Sequence, residues 1–200
     1  MSAFILASVE RFDVPDADVV FAPEFFGRAD SNRLLAALDE TTTWRQERVT
    51  MYGRTLPIPR LTAWHGDPGT TYTYSEIAME PEPWTEPLLE IKAAVEQEAG
   101  GTFNSVLLNL YRDGNDSVAW HSDDEPELGV EPLIASVSLG ATRSFQLRHQ
   151  VDETQRIEVE LTHGSLLVMR GPTQRCWKHQ VPKTALDVGP RFNLTFRTIE

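Results

Sequence analysis

Short segments of alternating hydrophobicity dominate the second half of the chain and constrain its fold most strongly. In a strand, successive side chains point to opposite faces, so an apolar residue at every second position predicts a half-buried β-strand. The segments with this pattern are 106–111, 135–139, 145–147, 157–161 and 192–196. Gly, Pro and Asp turns separate them. Such short strands indicate an all-β sandwich or jelly roll.

Two helical segments precede these strands, because their apolar residues recur at the spacing of one helix face. Ser, Asp and Asn favour the first position of a helix, and Gly favours its end. The predicted helices are 30–39, capped by Asp30, Ser31 or Asn32, and 87–98, capped by Thr85 and ended by Gly100 and Gly101. The sequence therefore predicts a mainly β protein with flanking helices, of the α+β class, in one domain over residues 1–200.

Composition narrows the setting in which this domain works. With one cysteine among 200 residues, an internal disulfide is excluded, which favours a cytoplasmic protein. No apolar run is long enough for a membrane span, so we expect no membrane contact. We also expect a monomer. The net charge of −12 argues against a broad nucleic-acid footprint. Residues 41–60 and 141–200 are nevertheless locally basic, each with three more basic than acidic side chains.

The sharpest local signal is His121-Ser122-Asp123, in which the two outer side chains share one strand face. With a second histidine they would form the 2-His-1-carboxylate triad that binds iron(II) and leaves open positions. His149, His163 or His179 could supply it, and spacing does not choose among them. The alternative is a surface histidine followed by a turn aspartate.

The last predicted strand carries polar side chains suited to a small dianion. Arginine grips carboxylates with two parallel donors, and two arginines six residues apart could converge on one dicarboxylate. The polar residues on this strand face, and on the matching face of segment 106–111, are Arg191, Asn193, Thr195, Arg197, Asn109 and Tyr111. The alternative is a polar face in water. A metal triad beside a dicarboxylate clamp suggests 2-oxoglutarate chemistry.

These motifs resemble those of the AlkB family of Fe(II)/2-oxoglutarate dioxygenases. The resemblance covers about residues 45–199 and is most similar to the animal homologues that repair single-stranded DNA and RNA. The segments that carry it are N-L-Y-R-D-G (109–114), W-H-S-D-D-E (120–125), I-A-S-V-S-L-G-A (134–141), T-H-G-S-L-L (162–167), W-K-H-Q-V-P (177–182) and R-F-N-L-T-F-R (191–197).

The resemblance implies a double-stranded β-helix (jelly-roll) core over about 101–200, with helices and a nucleotide-recognition lid over about 1–100. It implies iron(II) on His121, Asp123 and His179, and a structural role for His163. The residues implied to hold 2-oxoglutarate are Asn109, Tyr111, Arg191, Asn193, Thr195 and Arg197. Those implied to face the nucleic acid are Tyr72, Tyr74, Asp124 and, in a hairpin over 48–54, Tyr52. A plain surface hairpin is the alternative for the last segment.

The implied activity is oxidative demethylation of bases such as 1-methyladenine and 3-methylcytosine in DNA, single-stranded or duplex, and in RNA. The reaction would use iron(II) as its cofactor, consume 2-oxoglutarate and O2, and release formaldehyde, succinate and CO2. Three alternatives stay open at this point. They are a hydroxylase or demethylase of RNA, protein or a small molecule, a non-catalytic nucleic-acid binding module, and a zinc hydrolase.

Overall fold

The computed structural model describes residues 9–51, 53–70, 72–74 and 77–200, and only the backbone of residues 51, 72–74 and 77–79. The helices are α1 (Arg28–Thr41), α2 (Glu86–Ala99) and the short α3 (Thr173–Cys176), with a 3-10 turn at Pro126–Leu128. The strands are β1 (Glu10–Arg11), β2 (Asp18–Ala22), β3 (Arg48–Met51), β4 (Arg54–Pro57), β5 (Leu61–Gly66), β6 (Tyr72–Tyr74), β7 (Ile77–Met79), β8 (Ser105–Tyr111), β9 (Val118–His121), β10 (Ile134–Gly140), β11 (Arg143–His149), β12 (Arg156–Leu161), β13 (Ser165–Arg170), β14 (Trp177–Val181) and β15 (Arg191–Arg197).

Two antiparallel sheets form the core. One has seven strands in the order β1-β2-β13-β10-β15-β8-β5, and the other has four in the order β12-β11-β14-β9. The pairs β3-β4 and β6-β7 form separate two-stranded hairpins. The mainly β, jelly-roll prediction is confirmed. The larger sheet also takes β1, β2 and β5 from the first 100 residues, so that half supplies more than helices and a lid.

Alternation along the strands sends apolar side chains into two buried layers. One layer packs the seven-stranded sheet against α1 and α2, and the other fills the space between the two sheets. On β15, Phe192, Leu194 and Phe196 are buried in the layer under the helices. The intervening polar residues of β15 therefore face the second sheet, where a cavity lies.

Helix α1 begins earlier than its sequence suggests. Gly27, with extended backbone, is the residue before its first turn, so the predicted caps Asp30, Ser31 and Asn32 are wrong. Ser31 is instead buried, and its hydroxyl donates to the Phe26 carbonyl at 3.1 Å. The Ser31 side chain is therefore used inside the first turn of α1 and does not cap its start.

Helix α2 follows its prediction to within one residue at each end. Thr85 precedes it, as predicted, although its hydroxyl makes no capping hydrogen bond. Gly100 ends it in the left-handed conformation with φ of 72°, and its N–H donates to the Glu96 carbonyl at 3.0 Å. Among the described residues, no helix combines the length and apolarity that crossing a bilayer requires.

Candidate metal and co-substrate site

The two sheets bring two histidines and one aspartate together at one point. His121 ends β9 and lies directly opposite His179 on β14, while Asp123 follows two residues beyond the strand. The Nε2 atoms of His121 and His179 lie 4.0 Å from Asp123 Oδ1 and Oδ2, respectively. Spacing in the sequence left three candidates for the second histidine, and the structure places His179 in this group.

His163 lies in a different environment. Its Nδ1 accepts the Gly140 N–H at 2.9 Å, so Nε2 carries the proton and donates to Asn32 Oδ1 at 3.1 Å. Both ring nitrogens are thereby used to join a sheet turn to α1. These bonds support the structural role that the family resemblance implied.

His149 also lies near other ligand types, Asp16 and Cys176. Its Nδ1 accepts backbone N–H groups of Val151 and Asp152, at 3.3 and 3.0 Å. The proton must then reside on Nε2, which faces Asp16 Oδ2 at 3.6 Å. A metal on Nε2 would have to displace that proton while Nδ1 keeps accepting, so the ring is arranged as an acceptor for the following loop.

The protonation states of the triad suit a metal. Burial alone would raise the pKa of Asp123, but Arg197, His179 and His121 outweigh it and hold that pKa below its usual value. Burial lowers the pKa of His179 to about 3 against the opposing attraction of Asp123. An ionised carboxylate and a neutral imidazole are the forms that bind metals. His121 donates from Nδ1 to the Ala119 carbonyl at 2.8 Å, which leaves Nε2 free as a ligand atom.

Asp123 is held at both its side chain and its backbone. Arg197 Nη2 donates to Oδ1 at 2.7 Å. Because Asp123 lies beyond the end of β9, its N–H has no strand partner and instead donates to Gln174 Oε1 at 3.0 Å. Gln174 is fully buried, on the short helix that leads into β14. No sequence pattern indicated this contact, because the two residues are 51 positions apart.

A cavity of about 310 Å³ lies beside the triad, between the sheets. Strands β8, β10 and β15 supply its polar wall, and apolar side chains such as Leu161 and Met169 line the rest. All of the residues predicted to hold a dicarboxylate line this cavity: Asn109, Tyr111, Arg191, Asn193, Thr195 and Arg197.

Arg191 is the cavity residue that most strongly favours an anionic ligand. It is 1% exposed, and Nη2 donates to Ser138 Oγ at 2.8 Å. Its buried Nε and Nη1 find no hydrogen-bond partner among the described residues. Burial lowers the pKa of Arg191 to about 10, although Tyr111 opposes this, so the side chain stays cationic at neutral pH. A buried cation with two free donors fits a carboxylate well.

The neighbouring amides differ in what they can offer. Asn193 is saturated: Nδ2 donates to Ser136 Oγ and the Val137 carbonyl, and Oδ1 accepts from Asn109 and Thr195. Asn109 Nδ2 donates once among the residues that the structure describes, at 3.3 Å, and has a second N–H. Asn193 is therefore arranged to support its neighbours, and Asn109 is better placed to bind an anion directly.

The predicted substrate residues are less well described. Tyr72 and Tyr74 lie on β6, which pairs with β7, and their side chains are outside the described part of the structure, as is all of Tyr52. Asp124 is exposed and outside the cavity lining, whereas its neighbour Glu125 lines the cavity.

Two further residues of the cavity were not predicted to act there. Trp64 on β5 lines it and donates from Nε1 to Ser105 Oγ at 2.7 Å. Arg60, in the segment before β5, lines it as well. Trp64 occupies a strand position that reads from sequence as ordinary core, so nothing local distinguished it.

Comparison with known proteins identifies the family of this chain. Residues 18–197 match the family described as the 2OG-Fe(II) oxygenase superfamily, and the chain belongs to it. Iron(II), 2-oxoglutarate and O2 are thereby confirmed as its cofactor and co-substrates. A solved structure, "The structure of OsALKBH1", shares the fold with a TM-score of 0.64 at 20% identity, covering 94% of this chain and 100% of that one.

Within the superfamily, the chain belongs to the AlkB family, as its motifs predicted. It is 45% identical over 190 residues to alpha-ketoglutarate-dependent dioxygenase alkB homolog 3 of Homo sapiens, covering 90% of this chain and 66% of the relative. It is 39% identical over 184 residues to DNA oxidative demethylase ALKBH2 of Mus musculus, covering 87% of this chain and 77% of the relative. The chain thus spans just under two thirds of the length of alkB homolog 3.

Proposed function

We propose that this protein is an Fe(II)/2-oxoglutarate-dependent dioxygenase that demethylates N-alkylated bases, of the 1-methyladenine and 3-methylcytosine type, in nucleic acid. One observation carries the proposal: the group of His121, Asp123 and His179 opens onto the same cavity as the buried, partly unpaired Arg191. The names of the relatives, an alpha-ketoglutarate-dependent dioxygenase and a DNA oxidative demethylase, support the choice of substrate.

Each residue has a distinct task in this proposal. His121, Asp123 and His179 would hold iron(II), which would supply the chemistry by which O2 and 2-oxoglutarate oxidise the N-methyl group. The products would be the restored base and formaldehyde from the substrate, and succinate and CO2 from 2-oxoglutarate. Arg191 binds a carboxylate of 2-oxoglutarate through Nε and Nη1. Arg197 keeps Asp123 ionised and oriented through the 2.7 Å bond. The surrounding apolar wall limits water around the reacting groups.

In this proposal, the nucleic acid binds to the hairpin β3-β4 and to the segment after it. This region carries Arg48, Arg54 and Arg60 and no acidic side chain, and nucleic-acid affinity arises largely from phosphate contacts. Binding should therefore be modest and strongly dependent on salt. Tyr72, Tyr74 and Tyr52 stay predicted as stacking residues, and Asp124 as a base contact. Methylated single-stranded DNA is the first substrate to test, with duplex DNA and RNA beside it; a cytoplasmic monomer also stays a prediction.

Formaldehyde release from methylated oligonucleotides tests the proposal directly. The substrates are 1-methyladenine and 3-methylcytosine in single-stranded DNA, duplex DNA and RNA, with methylated peptides for comparison. We expect release to require iron(II) and 2-oxoglutarate, and to be lost in His121→Ala. His149→Ala is the matched control, because it removes a histidine outside the triad, and it should keep its activity. Full activity in His121→Ala, or release from peptides alone, would contradict the proposal.

A further inference from the structure

Arg60 connects the substrate side of the molecule to the floor of the cavity. It lies in the segment between β4 and β5, is half-buried and lines the cavity. Its Nε donates to Asn109 Oδ1 at 2.7 Å, and its Nη1 donates to the Ser117 carbonyl at 3.3 Å. The bond to Asn109 joins a guanidinium from the nucleic-acid side to an amide on β8, 49 residues away.

We propose that Arg60 is a positioning residue for 2-oxoglutarate, because it sets the direction of the Asn109 amide. The oxygen and the nitrogen of an amide are nearly equal in size, so hydrogen-bond partners decide which end points where. Arginine has only donors, and Arg60 therefore requires the oxygen of Asn109 on its own side. The NH2 group is directed to the opposite side, toward Asn193 on β15, and both asparagines line the cavity.

This direction matters because the ligand is an anion. One N–H of Asn109 donates to Asn193 Oδ1 at 3.3 Å, and the second, which has no acceptor within the described part of the chain, can donate to a carboxylate. With the amide reversed, an oxygen would face both Asn193 Oδ1 and the carboxylate, and both contacts would be repulsive. Asn193 cannot turn to compensate, since its own NH2 is used by Ser136 and Val137.

Without Arg60, the Asn109 oxygen would lose its short, charge-assisted bond, and one longer bond would hold the buried amide. The expected cost is about one hydrogen bond to a charged group, which corresponds to roughly a tenfold loss of 2-oxoglutarate affinity. Arg60→Lys keeps a cation with fewer fixed donors, so it should recover only part of that loss.

The test measures the binding of 2-oxoglutarate to the full chain by calorimetry. The protein is loaded with Mn²⁺ in place of iron, and no nucleic acid is present. Arg60→Ala should raise the dissociation constant about tenfold, with Mn²⁺ affinity unchanged. The matched control is Arg54→Ala, which removes a hairpin arginine outside the cavity lining and should leave 2-oxoglutarate binding unchanged. In turnover, Arg60→Ala should raise the KM for 2-oxoglutarate by a similar factor.

A double variant separates positioning from direct contact. If Arg60 acts through Asn109, then Arg60→Ala added to Asn109→Ala should weaken binding no further. Additive losses, or wild-type affinity in Arg60→Ala, would overturn the positioning role while leaving the proposed function intact. The inference rests on 2-oxoglutarate binding at Asn109, so a wild-type protein that binds no 2-oxoglutarate would overturn both.

Discussion

Replacing Arg191 with methionine should change stability and ligand binding in opposite directions. Arg191 is fully buried, spends one donor on Ser138 and leaves Nε and Nη1 unpaired among the described residues. Such a cation is costly to bury in the free protein, but the same donors are what a carboxylate requires. Methionine has a flexible apolar side chain that can occupy much of the same space.

The magnitudes follow from the contacts. Each unpaired buried donor costs about 1–3 kcal/mol. Against this gain, the variant loses the Ser138 bond and the contact of the guanidinium with the Tyr111 ring, 5.1 Å away, worth about 1 kcal/mol each. The net stabilisation is about 0–4 kcal/mol, and its midpoint of about 2 kcal/mol corresponds to roughly 4–8 °C in Tm for a chain of this size. Losing two charge-assisted bonds should weaken 2-oxoglutarate binding at least about a hundredfold.

Thermal unfolding with and without 2-oxoglutarate measures both effects on the Mn²⁺-loaded protein. Without 2-oxoglutarate, Arg191→Met should have a higher Tm than the wild type. Adding 2-oxoglutarate should raise the Tm of the wild type and leave that of Arg191→Met unchanged. Arg191→Lys is the control: it keeps a buried cation and should not be stabilised. A variant that melts below the wild type, or still binds 2-oxoglutarate with wild-type affinity, would refute the reasoning.

Two further predictions concern residues around the site. Gln174→Leu removes the acceptor for the Asp123 N–H and should lower Mn²⁺ affinity at least about tenfold by calorimetry. Gln180→Leu, on the outer face of β14, is the control and should keep the wild-type affinity. Equal Mn²⁺ affinities in Gln174→Leu and the wild type would exclude the positioning role of Gln174. The pKa of Asp116 lies below its usual value, because the hydrogen bonds from Arg112 outweigh its burial. A lowered pKa stabilises the fold above the unfolded-state value and loses that effect as pH falls. The difference in urea midpoint between wild type and Asp116→Asn should therefore shrink from pH 7 to below about 4; a difference independent of pH would contradict this origin.

The sequence predicts those features whose signals are local. Alternation along β8 and β15 correctly places their apolar residues in the core and their polar residues toward the cavity. The pair His121 and Asp123 is recognisable because both residues lie in one short segment. The end of α2 follows from Gly100, which acts on its own neighbours in the chain, and its start lies at the predicted Thr85 even though that hydroxyl makes no capping bond.

Features that depend on distant partners could not be predicted in this way. His179 reaches the triad only because β14 pairs with β9, and nothing near His179 distinguishes it from the other histidines. Gln174 and Arg60 act on residues 51 and 49 positions away. The inclusion of β2 and β5 in the larger sheet likewise depends on pairing with β13 and β8. The family resemblance, rather than spacing, supplied His179.

Because β9 lies at the edge of its sheet, a bound metal ion would also help to hold that strand in place. β9 is the edge strand of the four-stranded sheet, and its pairing with β14 is irregular between His179 and Val181. An ion shared by His121 and His179 would cross-link the two strands at one of their directly opposed pairs. Loss of the ion would remove that cross-link, and any loosening of β9 would expose the edge of β14, whose backbone groups could pair with other chains. We therefore expect metal depletion to favour aggregation as well as to abolish activity.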